Sequence, residues 1–278
     1  MQAPIRIVPQ GEIAKGTAES PPLKLPDPVS LFVDRAARLK ALAALAADGE
    51  YLALMGSLAD AQHAAARQGL ADWKQVLRTI VPQVSARLRG PAIEPVRALA
   101  SASDESLEEL GNRVLEFDYP SLDARVIPFI GAALQVQWAR RAAAFVDTPG
   151  AKYETAKVCP VCASPPVAST LRIDVPTPGS RYLHCALCAT NWRLPRGQCS
   201  QCDMQGKLAY FHVEGGSEVV KAEACEACHG YLKVMNQEKD PLADPVADDL
   251  ATLALDVLVD ESGYHRASPN LFFVPGQT

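Results

Sequence analysis

Residues 159–162 read CPVC, 185–188 CALC, 199–202 CSQC and 225–228 CEAC. These Cys-x-x-Cys units contain all 8 cysteines of the chain. The gaps repeat as well: 22 residues separate Cys162 from Cys185, and 22 separate Cys202 from Cys225. Adding 40 to the cysteine numbers of the first two units gives those of the last two. The pattern reads as one metal-binding unit written twice.

Each Cys-x-x-Cys turn points two sulfurs at one ion, and its backbone N–H groups can hydrogen-bond those sulfurs. The equal spacing places Cys159, Cys162, Cys185 and Cys188 in one site and Cys199, Cys202, Cys225 and Cys228 in a second. The alternative joins the two inner pairs and leaves the outer pairs for each other. A unit of about 30 residues has too small a core to fold alone. Structural zinc contributes about 10–16 kcal/mol in small peptides, so the metals are expected to hold this region together. Four thiolates suit zinc and a single rubredoxin-type iron equally well. Zinc would be structural, whereas iron could cycle between two oxidation states. The cage carries net negative charge with either metal. Arg181 and Lys221, and Arg193 and Lys233, lie at matched positions in the two units and are candidates to offset it.

Disulfides are disfavoured, because disulfide scaffolds are mostly short secreted domains. The first ten residues, MQAPIRIVPQ, contain no apolar h-region, so no secretory signal is expected. A thioredoxin-like reading of Cys159-Pro160-Val161-Cys162 needs a long helix after it, and Pro165-Pro166 blocks one.

The chain has 278 residues, is 48% hydrophobic and 21% charged, and has a net charge of −5. This is the composition of a folded protein, at a length that suggests about two domains at roughly 150 residues each. The charge gives no pull toward nucleic acid or anionic membrane. No run of about 18 apolar residues is present to span a membrane. Residues 155–235 hold eight Lys/Arg against six Asp/Glu. That balance is a weak footprint for phosphate-driven binding.

Upstream of the cysteines the pattern is helical throughout. Asp27-Pro28 is an N-cap followed by proline at the first helical position. Phe32, Ala36, Leu39, Ala43 and Ala46 form one apolar face, ended by Asp48-Gly49. Residues 50–68 continue in Ala and Leu. Trp73, Val76, Leu77 and Ile80 form a stripe that should break near Pro82. Gly90-Pro91 reads as a turn before a short helix over 92–100, and Ser103 caps the next helix. Ser121 opens a segment carrying Ile127, Ile130, Leu134, Trp138 and Phe145 inward, with Pro128 in its first turns. Thr148-Pro149-Gly150 marks a boundary.

Short alternating runs follow at 167–175, 181–185 and 207–213, separated by turn signals, and read as strands. From Asp244 the pattern is helical again. Pro245 and the Asp248/Asp249 pair suit a helix N-terminus, with Leu250, Leu253, Ala254, Val257 and Leu258 as its stripe, ending near Gly263. Phe272 and Phe273 are expected to pack back. His184 and His229 flank cysteines but read as neighbours of a site rather than ligands. His63 has no partner motif. Trp73 and Trp138 fit helical cores, and Trp192 is placed to cover the first site. No GxGxxG, P-loop, HExxH or GxSxG pattern is present.

Several stretches resemble the formate dehydrogenase accessory protein family, FdhE. They are CPVCASPPVAS (159–169), RYLHCALCATNW (181–192), CSQCDMQGKL (199–208), YLKVMNQEKDP (231–241), IRIVPQ (5–10), VADDLATLALD (246–256), Gly263-Tyr264 and Pro275-Gly276. The resemblance runs nearly end to end and includes all eight cysteines. It implies a non-enzymatic, cytoplasmic accessory or maturation protein. Such a protein is required for respiratory formate dehydrogenase and binds its catalytic subunit before export. The eight cysteines would form two rubredoxin-like sites for two metal ions, iron or zinc. Ala163, Ala189, Asp203 and His229 stand after the second cysteines, where rubredoxin knuckles often place glycine.

The expected architecture is therefore α+β. An extended arm (1–26) precedes a helical N-terminal domain (27–150). Two tandem small β-rich, rubredoxin-like (zinc-ribbon-like) four-cysteine units follow at 155–195 and 196–238, then a C-terminal helix and tail at 241–278. The competing readings are a rubredoxin-like electron-transfer protein and a zinc-ribbon nucleic-acid-binding protein.

Overall fold

The computed structural model of the chain describes residues 21–47, 49–146, 153 and 157–274. IRIVPQ, Thr148-Pro149-Gly150 and Pro275-Gly276 lie outside the described residues.

Six helices come first: α1 (Pro28–Leu45), α2 (Glu50–Arg67), α3 (Trp73–Ser85), α4 (Ile93–Ser101), α5 (Asp104–Leu115) and α6 (Ile127–Ala143). Their starts follow local chemistry. Asp27 accepts from Val29 N, Asp72 from Lys74 N and Ser103 from Ser106 N. Pro28 and Pro128 fall where a helix lacks N–H partners anyway. The structure departs from expectation at three ends. α1 stops at Leu45, ahead of Asp48-Gly49, and Gly49 instead begins α2. α3 runs three residues past Pro82, because Val81 and Val84 are buried and their packing outweighs one lost hydrogen bond. α6 begins at Ile127, and Tyr119–Ser121 is a separate 3-10 turn.

α6 is the centre of the helical layer. Thirteen of its 17 residues are buried, as expected of a helix apolar on all sides. Small residues let neighbours approach: a Cβ on Gly131 would stand 3.0 Å from Leu271 Cβ. α2, α3 and α5 pack around it.

The second layer is one eight-stranded sheet. It contains β1 (Leu23–Lys24), β2 (Pro166–Arg172), β3 (Ser180–Cys185), β4 (Asn191–Arg193), β5 (Leu208–Phe211), β6 (Val220–Cys225), β7 (Gly230–Asn236) and β8 (His265–Arg266). The strand order is β1-β4-β3-β2-β7-β6-β5, with β8 also on β7. Each four-cysteine unit contributes an antiparallel three-stranded piece, β2–β4 or β5–β7. The sequence repeat is thus a structural repeat, since β3 and β6 are offset by the same 40 positions as the cysteines. The two pieces join through a parallel pairing of β2 and β7, Ser169 opposite Val234. That junction is not visible in the sequence pattern, and β4, β6 and β7 are too short or too evenly buried to show alternation.

The C-terminal segment forms α7 (Ala247–Leu250) and α8 (Leu253–Glu261). The break at Ala251-Thr252 resets the helical phase, so Leu255 and Val259 face inward while Val257 and Leu258 are exposed. Asp248 and Asp249 do more than favour a helix start. Both are buried, Asp248 in a two-point pair with Arg38 and Asp249 with Arg266 and Lys233. Phe272 is buried, whereas Phe273 stays partly exposed with its ring against Tyr51. Buried apolar residues of the helices and of the sheet form one continuous cluster. Among the described residues no helix is long and apolar enough to cross a membrane.

Candidate metal centres

The fold gathers the cysteines into two groups of four. Cys159, Cys162, Cys185 and Cys188 form one, and Cys199, Cys202, Cys225 and Cys228 the other; within each the Sγ atoms lie within 4.8 Å of one another. In the first group Cys159 and Cys188 Sγ are 3.5 Å apart and Cys162 and Cys185 Sγ 3.3 Å. In the second the matching distances are 3.8 and 3.7 Å. A tetrahedral ion with metal–sulfur bonds of about 2.3 Å spaces its sulfurs about 3.8 Å apart. The donors therefore fit one thiophilic ion per group, and no cysteine is in a disulfide. Either group could hold zinc or iron.

Each group is made by two hairpin knuckles. In the first knuckle Ala163 N donates to Cys159 O at 2.9 Å and Cys159 N to Ser164 O at 2.8 Å. Asp203 and His229 close their knuckles in the same way, onto Cys199 O and Cys225 O. This closure needs a left-handed residue after the second cysteine. Ala163, Ala189, Asp203 and His229 all take it, with φ of 61, 59, 63 and 57°. The absence of glycine has not altered the knuckle shape; the strain is carried by L-residues.

Backbone N–H groups face the sulfurs. Val161 N lies 3.4 Å from Cys159 Sγ, Leu187 N and Cys188 N 3.4 and 3.3 Å from Cys185 Sγ, and Gln201 N 3.4 Å from Cys199 Sγ. Two of the cations expected to offset the cage charge are committed elsewhere. Arg181 pairs with Glu223 across the β2–β7 junction, both buried. Lys233 is fully buried and pairs with Asp256 at 2.5 Å and Asp249 at 3.4 Å. The amide dipoles at the knuckles contribute to the offset. Burial pushes the Cys185 thiol well above its ordinary value, while hydrogen bonds with Cys159 and Cys185 hold Cys162 well below it. A bound cation would draw all four to the thiolate form.

Both histidines beside the cysteines lie outside the sulfur groups. His184 is buried, with Nε2 3.5 Å from an Arg35 guanidinium nitrogen and Nδ1 3.0 Å from Asn191 Oδ1. Arginine only donates, so Nε2 accepts and Nδ1–H donates to Asn191. Asn191 Nδ2 then donates to Ala189 O at 3.1 Å. A polar chain thus runs from α1 to the second knuckle of the first group. Burial, with the Arg35 charge beside it, pushes His184 down to about 4. This chain borders a cavity of about 570 Å³ between α1, β3–β4 and the 237–245 loop. Cations at its rim are paired: Lys24 and Arg172 with Asp174, and Arg38 with Asp240 and Asp248. His229 is exposed, its ring 5.7 Å from that of Tyr264. His63 Nδ1 lies 2.9 Å from Val29 O.

Sequence patterning did not single out Arg35, Gln135 or Thr190. Gln135 Nε2 donates to Ala186 O at 2.9 Å, and Thr190 Oγ1 lies 3.1 Å from Cys188 Sγ. Only Gln135 left a sign, as the polar residue within the otherwise apolar run 127–136 of α6.

The chain matches three family models in series: FdhE N-terminal over residues 20–71 and 66–154, FdhE central domain over 158–196, and FdhE C-terminal domain over 198–273. It is 37% identical to a protein FdhE homolog of Klebsiella pneumoniae and 36% identical to protein FdhE of Escherichia coli K12, each alignment covering 98% of this chain and 99% of the relative. The crystal structure of the FdhE protein from Pseudomonas aeruginosa is similar with a TM-score of 0.77 and 33% identity, over 92% of this chain and 100% of that one. On this end-to-end similarity, the chain belongs to the FdhE family.

Proposed function

We propose that the protein is a non-enzymatic accessory factor for a respiratory formate dehydrogenase, which it engages in the cytoplasm through the catalytic subunit, and that it carries one thiophilic ion in each four-cysteine group. The observation that carries the reading is the end-to-end family match combined with two four-sulfur groups at metal-binding spacing.

The residues give the metals a bracing role. The first group is enclosed between the sheet and α6, and its knuckles are tied to α1 and α6 through His184, Asn191 and Gln135. An ion there ties together two knuckles that the small β-rich units could not hold by apolar burial alone. His184, the buried histidine beside the first group, is hydrogen-bonded through both ring nitrogens, which suits a structural role.

A pull-down tests the partner. Tagged full-length protein should retain the formate dehydrogenase catalytic subunit from lysate. Failure to retain it, where the Escherichia coli relative does, contradicts the proposal.

A further inference from the structure

The two four-cysteine groups come from one repeat, yet their surroundings differ at matched positions. In the first group Ala186, Leu187, Cys188 and Ala189 are all buried. Forty residues on, Glu226, Ala227 and His229 are not: Glu226 and Ala227 are exposed, His229 is exposed, and Cys228 is only half-buried. The first knuckles match at their second cysteines, Cys162 and Cys202 both being half-buried, and differ two residues on. Ser164 is buried, while its counterpart Met204 is 46% exposed.

The cause is what packs on each. α6 reaches the first group directly, with Gln135 on the Ala186 carbonyl. Leu187 sits beside Leu115, Tyr119 and Leu271. Thr190 and Trp192 are fully buried beneath the knuckle. In the second unit the matched residues are Gly230 and Leu232. Gly230 has no hydroxyl to place near Cys228 as Thr190 does near Cys188. Cover on the outer side comes from the ring contacts of His229 and Phe211 with Tyr264.

We propose that the second group is a readily exchangeable metal site, open to an incoming ligand at Cys228, while the first exchanges its ion far more slowly. This rests on the reading of both groups as metal sites. Exchange is ligand substitution. With an ion bound, a bond from the incoming sulfur would form as the bond to Cys228 breaks, and the released thiolate would take a proton from water. No electrons are transferred. In the first group the equivalent attack at Cys188 has no approach without opening the core, since that residue is 0% exposed; Cys162 is half-buried as Cys202 is, so the difference between the groups lies at the second knuckles.

The test uses full-length protein loaded with zinc, an excess of the chromogenic chelator 4-(2-pyridylazo)resorcinol, and timed N-ethylmaleimide labelling read by peptide mass spectrometry. Release should occur in two phases of one ion each. Their rates should differ by at least about tenfold, because the buried Cys185–Cys188 knuckle of the first group opens only through local unfolding. Cys228 should be labelled in the fast phase, and its counterpart Cys188, with Cys159 and Cys185, in the slow one. Two ions leaving in a single phase, or fast labelling of Cys188, overturns this inference and leaves the accessory role standing. Fewer than two ions bound overturns the metal reading and this inference with it.

Discussion

Gln135 on α6 donates from Nε2 to the carbonyl oxygen of Ala186 at 2.9 Å, with both groups buried. Its Oε1 accepts from Gln62 Nε2 at 3.1 Å. A buried polar relay therefore runs from α2 through α6 to the knuckle of the first four-cysteine group. Removing its middle member leaves the buried Ala186 carbonyl without that partner, while Gln62 Nε2 keeps Ala132 O at 2.9 Å; the lost partner costs about 1–3 kcal/mol. Gln135→Leu should lower denaturant stability by that amount and leave the second group's metal content unchanged. An unchanged midpoint would show that the relay contributes nothing.

The separate sulfur groups predict separable losses. Cys185→Ser and Cys225→Ser should each remove about one ion per chain from the 2 that the groups can hold. The fold should suffer more from Cys185→Ser, whose group lies inside the core shared with the helices. Elemental analysis with circular dichroism reads both effects. Loss of both ions from either change would mean that the sites are coupled.

The left-handed knuckle residues predict a stabilising substitution. Ala163 has φ 61° and is exposed, so its methyl contributes strain and little packing. The left-handed conformation costs an L-residue about 1–2 kcal/mol, partly offset by the greater unfolded-state freedom of glycine. Ala163→Gly should raise stability by about 0.5–1 kcal/mol in denaturant titration, and Ala163→Val should lower it.

Asp249 predicts an acid limb. Burial alone would raise its carboxyl, but the Arg266 and Lys233 cations outweigh burial and hold it below its ordinary value. A depressed folded value means the stabilisation is present above the unfolded value of about 3.9 and is lost as pH falls through the folded one. Asp249→Asn should flatten the stability profile below about pH 4. At pH 7 it should cost about 3–5 kcal/mol, since it leaves buried Lys233 and Arg266 sharing Asp256. Parallel melts of both proteins across pH provide the check.

Much of the helical half was legible because its signals are local. Asp27-Pro28, Ser103 and Pro128 act within one turn, and the α1 face repeats at steps read directly from the chain. The two cysteine groups were legible for a different reason: a repeat with fixed offsets survives folding. The parts that were not legible depend on contacts between distant residues. Pro82 stays inside α3 because of Val81 and Val84 burial. The phase of α8 depends on a break where Lys233 takes the carbonyls of Asp249 and Thr252. The parallel β2–β7 junction, with the buried Arg181–Glu223 pair across it, has no local signature. The same holds for the unequal burial of the two groups, which the identical spacing conceals.

Metal content tests the account most directly. Protein purified without oxygen should contain 2 iron or zinc ions per folded chain, with its 8 thiols unreactive until the ions are removed. A folded protein with less than one ion per chain and eight freely titrating thiols would contradict it.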